Sequence, residues 1–205
     1  MSENISLFEA IETQRAIRRF KPDPVSNELI VKLVEAATRA PSGANTQPWR
    51  FLVIRKSYFK NKIAEYYKKS WYKYYEKRIY NPIPKRIKVN ATYLANHIQE
   101  APVLILICIE HRGALSTMSR GASIYPAVQN MLLAARGYGL GSVLTTLHKN
   151  YEDQIKEIFG IPENVETAAL LPIGYPTEGN GYGISKRMSP DEVIHWDVWN
   201  SFEGY

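Results

Sequence analysis

The run Gln14-Arg15-Ala16-Ile17-Arg18-Arg19-Phe20 places three arginines within five residues. Guanidinium groups are planar, always charged, and carry paired N–H donors that match phosphate oxygens. A turn bearing three of them can clamp a phosphate. A second cluster follows at Ala40-Pro41-Ser42-Gly43-Ala44-Asn45-Thr46-Gln47-Pro48-Trp49-Arg50-Phe51. A short hydroxyl and two amides in a loop between helix and strand offer the donors and acceptors that a polar heterocycle requires. Each cluster also has a plainer use, because surface arginines are common and Ser, Asn and Gln build turns.

Other chemistry finds little footing. Gly137-Tyr138-Gly139-Leu140-Gly141-Ser142 imitates a dinucleotide fingerprint, but it ends in Ser142 and follows a helix rather than a strand. No phosphate-binding P-loop or nucleophile elbow is present. His97, His111, His148 and His195 show no helical pairing, and with one cysteine they make no zinc framework. Cys108 lies in the apolar run 104–109, where it reads as a small buried hydrophobe. A lone cysteine forms no internal disulfide, so a reducing cytoplasm is the simpler compartment.

The chain has 205 residues, 45% hydrophobic and 22% charged, which fits one soluble globular domain. No stretch reaches the roughly 18 apolar residues of a membrane span, and no secretory signal opens the sequence. The net charge of +6 invites nucleic acid or anionic lipid as partner. Its location argues otherwise: residues 56–90 carry 11 Lys and Arg against Glu65 and Glu76, and the remainder is slightly acidic. This basic insert also holds seven of the 14 tyrosines, with Trp71. It reads as a weakly amphipathic helix over 63–77, broken at Asn81-Pro82-Ile83-Pro84. Either it is a solvated helix, or it is a lid over an anionic or aromatic ligand. No nucleic-acid motif accompanies it.

The elements that position the clusters can be read coarsely. Helices are expected over 6–13, 27–39 with Ser26 as cap, 119–138 and 152–159. Strands are expected over 49–54, 142–146 and 167–173, with 102–109 as a strand buried on both faces. Helices and strands mix without strict alternation, which predicts an α+β fold. The run 196–199 is an apolar C-terminal tail.

Taken in order, the two clusters resemble the FMN-dependent nitroreductase superfamily. Supporting runs are Ala127 to Ala135 leading into Gly139-Leu140-Gly141, Leu171-Pro172-Ile173-Gly174-Tyr175-Pro176, and Lys186-Arg187 ahead of Ser189-Pro190-Asp191-Glu192. The resemblance covers about 7–199. It implies a single nitroreductase-like domain over 1–205, with a largely antiparallel central sheet flanked by helices. It also implies an intertwined homodimer with FMN between the chains. Arg15 and Arg187 match positions that grip the phosphate, with Ala16 beside them. Arg18 matches a cation near flavin N1, and Pro41, Ser42 and Asn45 match a loop against the flavin. Thr145 and Thr146 match the segment by N5, Thr146 as hydrogen-bond donor.

Gln14 and Ala16 depart from the family, which often has Arg and Ser there, so one charge and one hydroxyl are missing. The implied activity is NAD(P)H-dependent, ping-pong reduction of nitroaromatic, quinone-like or related small aromatic acceptors. Reductive dehalogenation, as in the iodotyrosine-deiodinase-like branch, is the alternative; flavin cleavage of the benzimidazole-forming kind and a non-enzymatic basic adaptor follow. No side-chain nucleophile is required, because flavin carries the electrons.

Overall fold

The computed structural model describes residues 5–75, 84–111, 113, 117–199 and 201. Four strands form an antiparallel sheet in the order β1-β2-β4-β3, with β1 Trp49–Ile54, β2 Val103–Glu110, β3 Gly141–Ser142 and β4 Val165–Gly174. Helices cover both faces of this sheet, giving the expected α+β architecture.

Strand β2 explains the layering. Its apolar residues run without interruption, so both of its faces must be covered. Val103, Ile105, Ile107 and Ile109 join a core with α2 (Asn27–Thr38) and α6 (Tyr125–Gly137). Leu104, Leu106 and Cys108 join a second core with α3 (Ser57–Ser70), α4 (Lys85–His97) and α7 (Glu152–Phe159). Cys108 is a buried free thiol. Both α1 (Leu7–Thr13) and α2 start at serine caps: the Ser6 and Ser26 hydroxyls accept the N–H groups of Glu9 and Leu29.

The basic segment contributes core as well as charge. Ile63, Tyr67, Ser70 and Trp71 recur along one side of α3 and into the following turn, and all four are buried against the second core face. Its lysines point elsewhere: Lys69 pairs with Glu65 one turn back, and Lys60 reaches the Ala101 carbonyl at 2.7 Å. The expected break at 81–84 falls, except for Pro84, outside the described residues.

Two expected elements need correction. The single helix over 119–138 is two: α5 (Met118–Gly121) and α6, separated by tight turns at Ala122, Ser123 and Ile124. Pro126, in the first turn of α6, has no N–H for the Ala122 carbonyl, and its ring obstructs a continuous helix. The strand over 142–146 shrinks to Gly141–Ser142, resuming only as a bridge between Thr145 and Leu170. In that register Val143 faces Pro172, which has no N–H to give.

The outer edge of β3 receives the arginine run. Ala16 bridges Ser142, and the Ile17 N–H donates to the Ser142 carbonyl at 3.0 Å. This approach needs Gly141, where a Cβ would lie 2.7 Å from Ile17 Cγ2. Close packing, not dinucleotide binding, accounts for that glycine. Gly139, at φ +72, ends α6 by turning the chain toward β3.

Candidate active site

The run 15–20 is held on both sides. Beyond β3, the segment after β4 runs along it: Lys21 N–H donates to the Tyr175 carbonyl, Thr177 N–H to Arg19, and Gly183 N–H to Thr13. Arg15 Nε donates to the Gly181 carbonyl at 2.7 Å. These bonds carry the C-terminal segment back to the N-terminal one, so Arg187 arrives beside Arg15. Buried Arg136 strengthens the junction, donating to Thr13 Oγ1 at 2.9 Å, pairing with Glu9 and stacking on Tyr182.

The result is a cavity of about 790 Å³. Among the described residues, six cations line it — Arg15, Arg18, Arg19, Arg86, Lys186 and Arg187 — and no carboxylate does. Among the described residues, none of Arg15, Arg18 and Arg187 makes an ion pair. Arg18 is half-buried, and burial pushes its pKa below the ordinary arginine value, so an anion there would relieve a desolvated charge. Arg19 is partly occupied on Tyr93, whose ring centroid lies 3.5 Å from the guanidinium carbon. A donor set of this kind fits a phosphate, FMN's included.

Of the residues expected from sequence, Arg15, Ala16, Arg18 and Arg187 therefore meet in one cavity. Arg86 lines the same cavity, and its signal in the sequence is the basic run 85–88 within the insert. Thr145 and Thr146 lie elsewhere. Thr145 is buried at its bridge to Leu170, while Thr146 is exposed and lines a second cavity of about 710 Å³. The phenol of buried Tyr67 is close enough to both Thr145 and Arg18 to feel each of them. Burial pushes that phenol up to about 12, against the pull of both neighbours. Tyr67 is accordingly neutral at ordinary pH.

The second cavity holds an ionic network. Lys149 reaches Glu152 and Glu166, each at 2.7 Å, and His111 Nε2 meets Glu166 at 2.8 Å. Burial disfavours the Glu152 charge, but Lys149 and the N–H and hydroxyl of Thr167 outweigh it and lower the pKa.

Pro41, Ser42 and Asn45 line neither cavity. Their loop is a strained surface turn in which Ala44, Asn45 and Gln47 all take positive φ, between 47° and 52°. Ser42 Oγ braces it by accepting the Gln47 N–H at 3.0 Å, and Gly43 N–H donates to Ser123 Oγ at 3.1 Å. Asn45 is thereby presented outward.

The family model described as the nitroreductase family matches residues 11–175, from the arginine run through β4. The chain belongs to the nitroreductase family. It is an oxidoreductase enzyme. A nitroreductase-family relative from Methanothermobacter thermautotrophicus, provisionally named an NADH dehydrogenase/NAD(P)H nitroreductase, is 29% identical over 95% of this chain and 88% of its own. Iodotyrosine deiodinase 1 of Rattus norvegicus is 30% identical over 91% of this chain and 68% of its own. The crystal structure of an iodotyrosine deiodinase bound to FMN and 3-iodo-L-tyrosine superposes with a TM-score of 0.76 and 26% identity, covering 95% of this chain and all of that one. Among the described residues, no helix is long and apolar enough to cross a membrane.

Proposed function

We propose that this chain is an FMN-dependent oxidoreductase that takes electrons from NAD(P)H and passes them to nitroaromatic, quinone-like or related small aromatic acceptors. The observation that carries the reading is the cavity that brings Arg15, Ala16, Arg18 and Arg187 together with no acid among them. Membership of the nitroreductase family and likeness to an FMN-bound structure support it.

Bound FMN would supply hydride acceptance and donation at N5. The chain supplies binding and electrostatics. Arg15 and Arg187 would hold the phosphate. Arg18, its charge already stripped of part of its water, favours negative charge at the N1 edge of the ring. From the second cavity, Thr146 would donate a hydrogen bond at N5, as the family resemblance implies. Tyr67, neutral and near Arg18 and Thr145, does not compete for the cation.

Pro41, Ser42 and Asn45 line neither cavity in one chain, so in this reading a second copy brings its loop to the flavin. Exposed apolar surface supports such a homodimer: Leu7, Phe8 and Ile11 of α1 and the tail residues Val198 and Trp199 stand in solvent, Phe8 at 74% and Trp199 at 80%. Sedimentation of FMN-loaded protein at micromolar concentration is expected to give a dimer. A stable loaded monomer would remove the two-chain site.

A second reading, reductive dehalogenation of a halogenated phenol, is favoured by the 30% identity to a deiodinase. The test of function begins with colour: the purified protein, or apoprotein with added FMN, should absorb as a flavoprotein. Anaerobic reduction by NADH and by NADPH, then a panel of a nitroaromatic, a quinone and an iodotyrosine, separates the readings. Rapid reoxidation by nitroaromatic or quinone with inert iodotyrosine supports the first; iodide release supports the second. A protein that binds no FMN refutes both.

A further inference from the structure

Resting on the flavin reading above, we infer that Arg86, at the start of α4, is a third phosphate-binding guanidinium of the arginine cavity. It occupies the role left open by Gln14 and Ala16.

The cavity has two walls. One is the run 15–19 with the segment 179–187; the other is Pro84, Arg86, Ile87 and Asn90 of the α4 N-terminus. Arg86 and Asn90 are four residues apart and so share a helix face. Asn90 Nδ2 donates to the Arg86 carbonyl at 3.1 Å, bracing that turn. Ala16 lines the cavity without a side-chain donor, and Gln14 is not part of its lining. On the first wall, then, Arg15 is the only cation of the 14–16 triplet. Arg86 supplies a second cation from across the cavity.

The charge placement on α4 supports this assignment. Helix N-termini carry partial positive charge and favour acids in their first turn. The first turn of α4 has no acid, its cap is Pro84 without a side-chain bond, and its opening residues include Lys85, Arg86 and Lys88. Among the described residues, Arg86 makes no ion pair and no side-chain hydrogen bond. Such an arrangement is unfavourable until an anion sits between α4 and the arginine run. A phosphate monoester, carrying between one and two negative charges near neutrality, suits it. Recognition is then specific to the phosphate end of the cofactor, not to its ring.

The experiment uses riboflavin, which has the ring but no phosphate. Apoprotein of the wild type, Arg86→Gln, Arg86→Lys and Arg187→Ala is titrated with FMN and with riboflavin, following flavin fluorescence. Because Arg86 is exposed, the substitution leaves the core untouched. Arg86→Gln should raise the Kd for FMN at least about tenfold, the low end for a lost charged hydrogen bond. The Kd for riboflavin should not change, and Arg86→Lys should fall between wild type and Gln. An unchanged FMN Kd in Arg86→Gln, with FMN weakened in Arg187→Ala, overturns the role of Arg86 and leaves the flavin reading intact. Equal weakening of FMN and riboflavin also overturns it, since the effect would not be on phosphate. A wild type that binds no FMN, or FMN binding indifferent to both arginines, overturns the flavin reading as well.

Discussion

Replacing Arg187 with alanine should weaken FMN binding at least about tenfold, and the Arg15→Ala/Arg187→Ala pair should yield a colourless protein. A hydrogen bond to a charged group contributes about 1.5–3 kcal/mol, or roughly ten- to 150-fold in affinity. The two arginines share one anion, so their effects need not add. They also differ in what else they do. Arg187 is exposed and, among the described residues, bonded only to the Lys186 carbonyl at 3.1 Å, so its loss reports on ligand binding. Arg15 also ties the N-terminal run to the Gly181 carbonyl, so its loss should lower stability too. Flavin retained after dialysis and Kd from fluorescence quenching check both claims. Unchanged FMN affinity in the two single variants and the double variant would sink the phosphate assignment.

The second large effect is a loss of stability in mild acid, traced to His148. This residue is 1% exposed, and neither ring nitrogen has a hydrogen-bond partner among the described residues. Burial lowers its pKa from 6.5 to about 4, despite nearby Glu152. The folded protein therefore keeps His148 neutral at a pH where the unfolded chain takes up a proton. Stability from this group is complete above about 6.5 and is lost as the pH falls toward 4. A shift of that size corresponds to about 3 kcal/mol. Glu152, whose pKa is also lowered in the fold, adds a further loss below its usual range near 4.5. Urea unfolding of the wild type at pH 7 and at 4.5 should show the decline, and His148→Leu should remove most of it. An equally steep decline in His148→Leu would mean that another group is responsible.

The sequence by itself determined the elements whose signals are local. Serine caps set the starts of α1 and α2, and the unbroken apolar run of β2 required helices on both faces of the sheet. That Arg15, Ala16, Arg18 and Arg187 belong together could be expected because clusters at both ends of the chain, read in order, resemble one family, and the four line one cavity. What failed locally failed because of prolines whose effect depends on a neighbour. Pro126 splits a helix that periodicity made continuous, and Pro172 ends the β3 ladder from the opposite strand. In the same way, α3 looked weakly amphipathic because Tyr67, Ser70 and Trp71 do not announce which side is buried.

Only the tertiary structure decided where charge converges. Arg86 is about 70 residues from Arg15 and 100 from Arg187 in sequence, and no periodicity links them. They meet because the run 15–20 lies on the edge of β3, the segment after β4 folds back along it, and α4 starts at the same cavity. The loop at 41–47 shows the reverse case. Its residue types were plain in the sequence, but the side of the molecule it faces follows from backbone strain and from its brace to Ser123. Backbone hydrogen bonds and close packing act through space, so the meeting of distant side chains is a property of the folded chain.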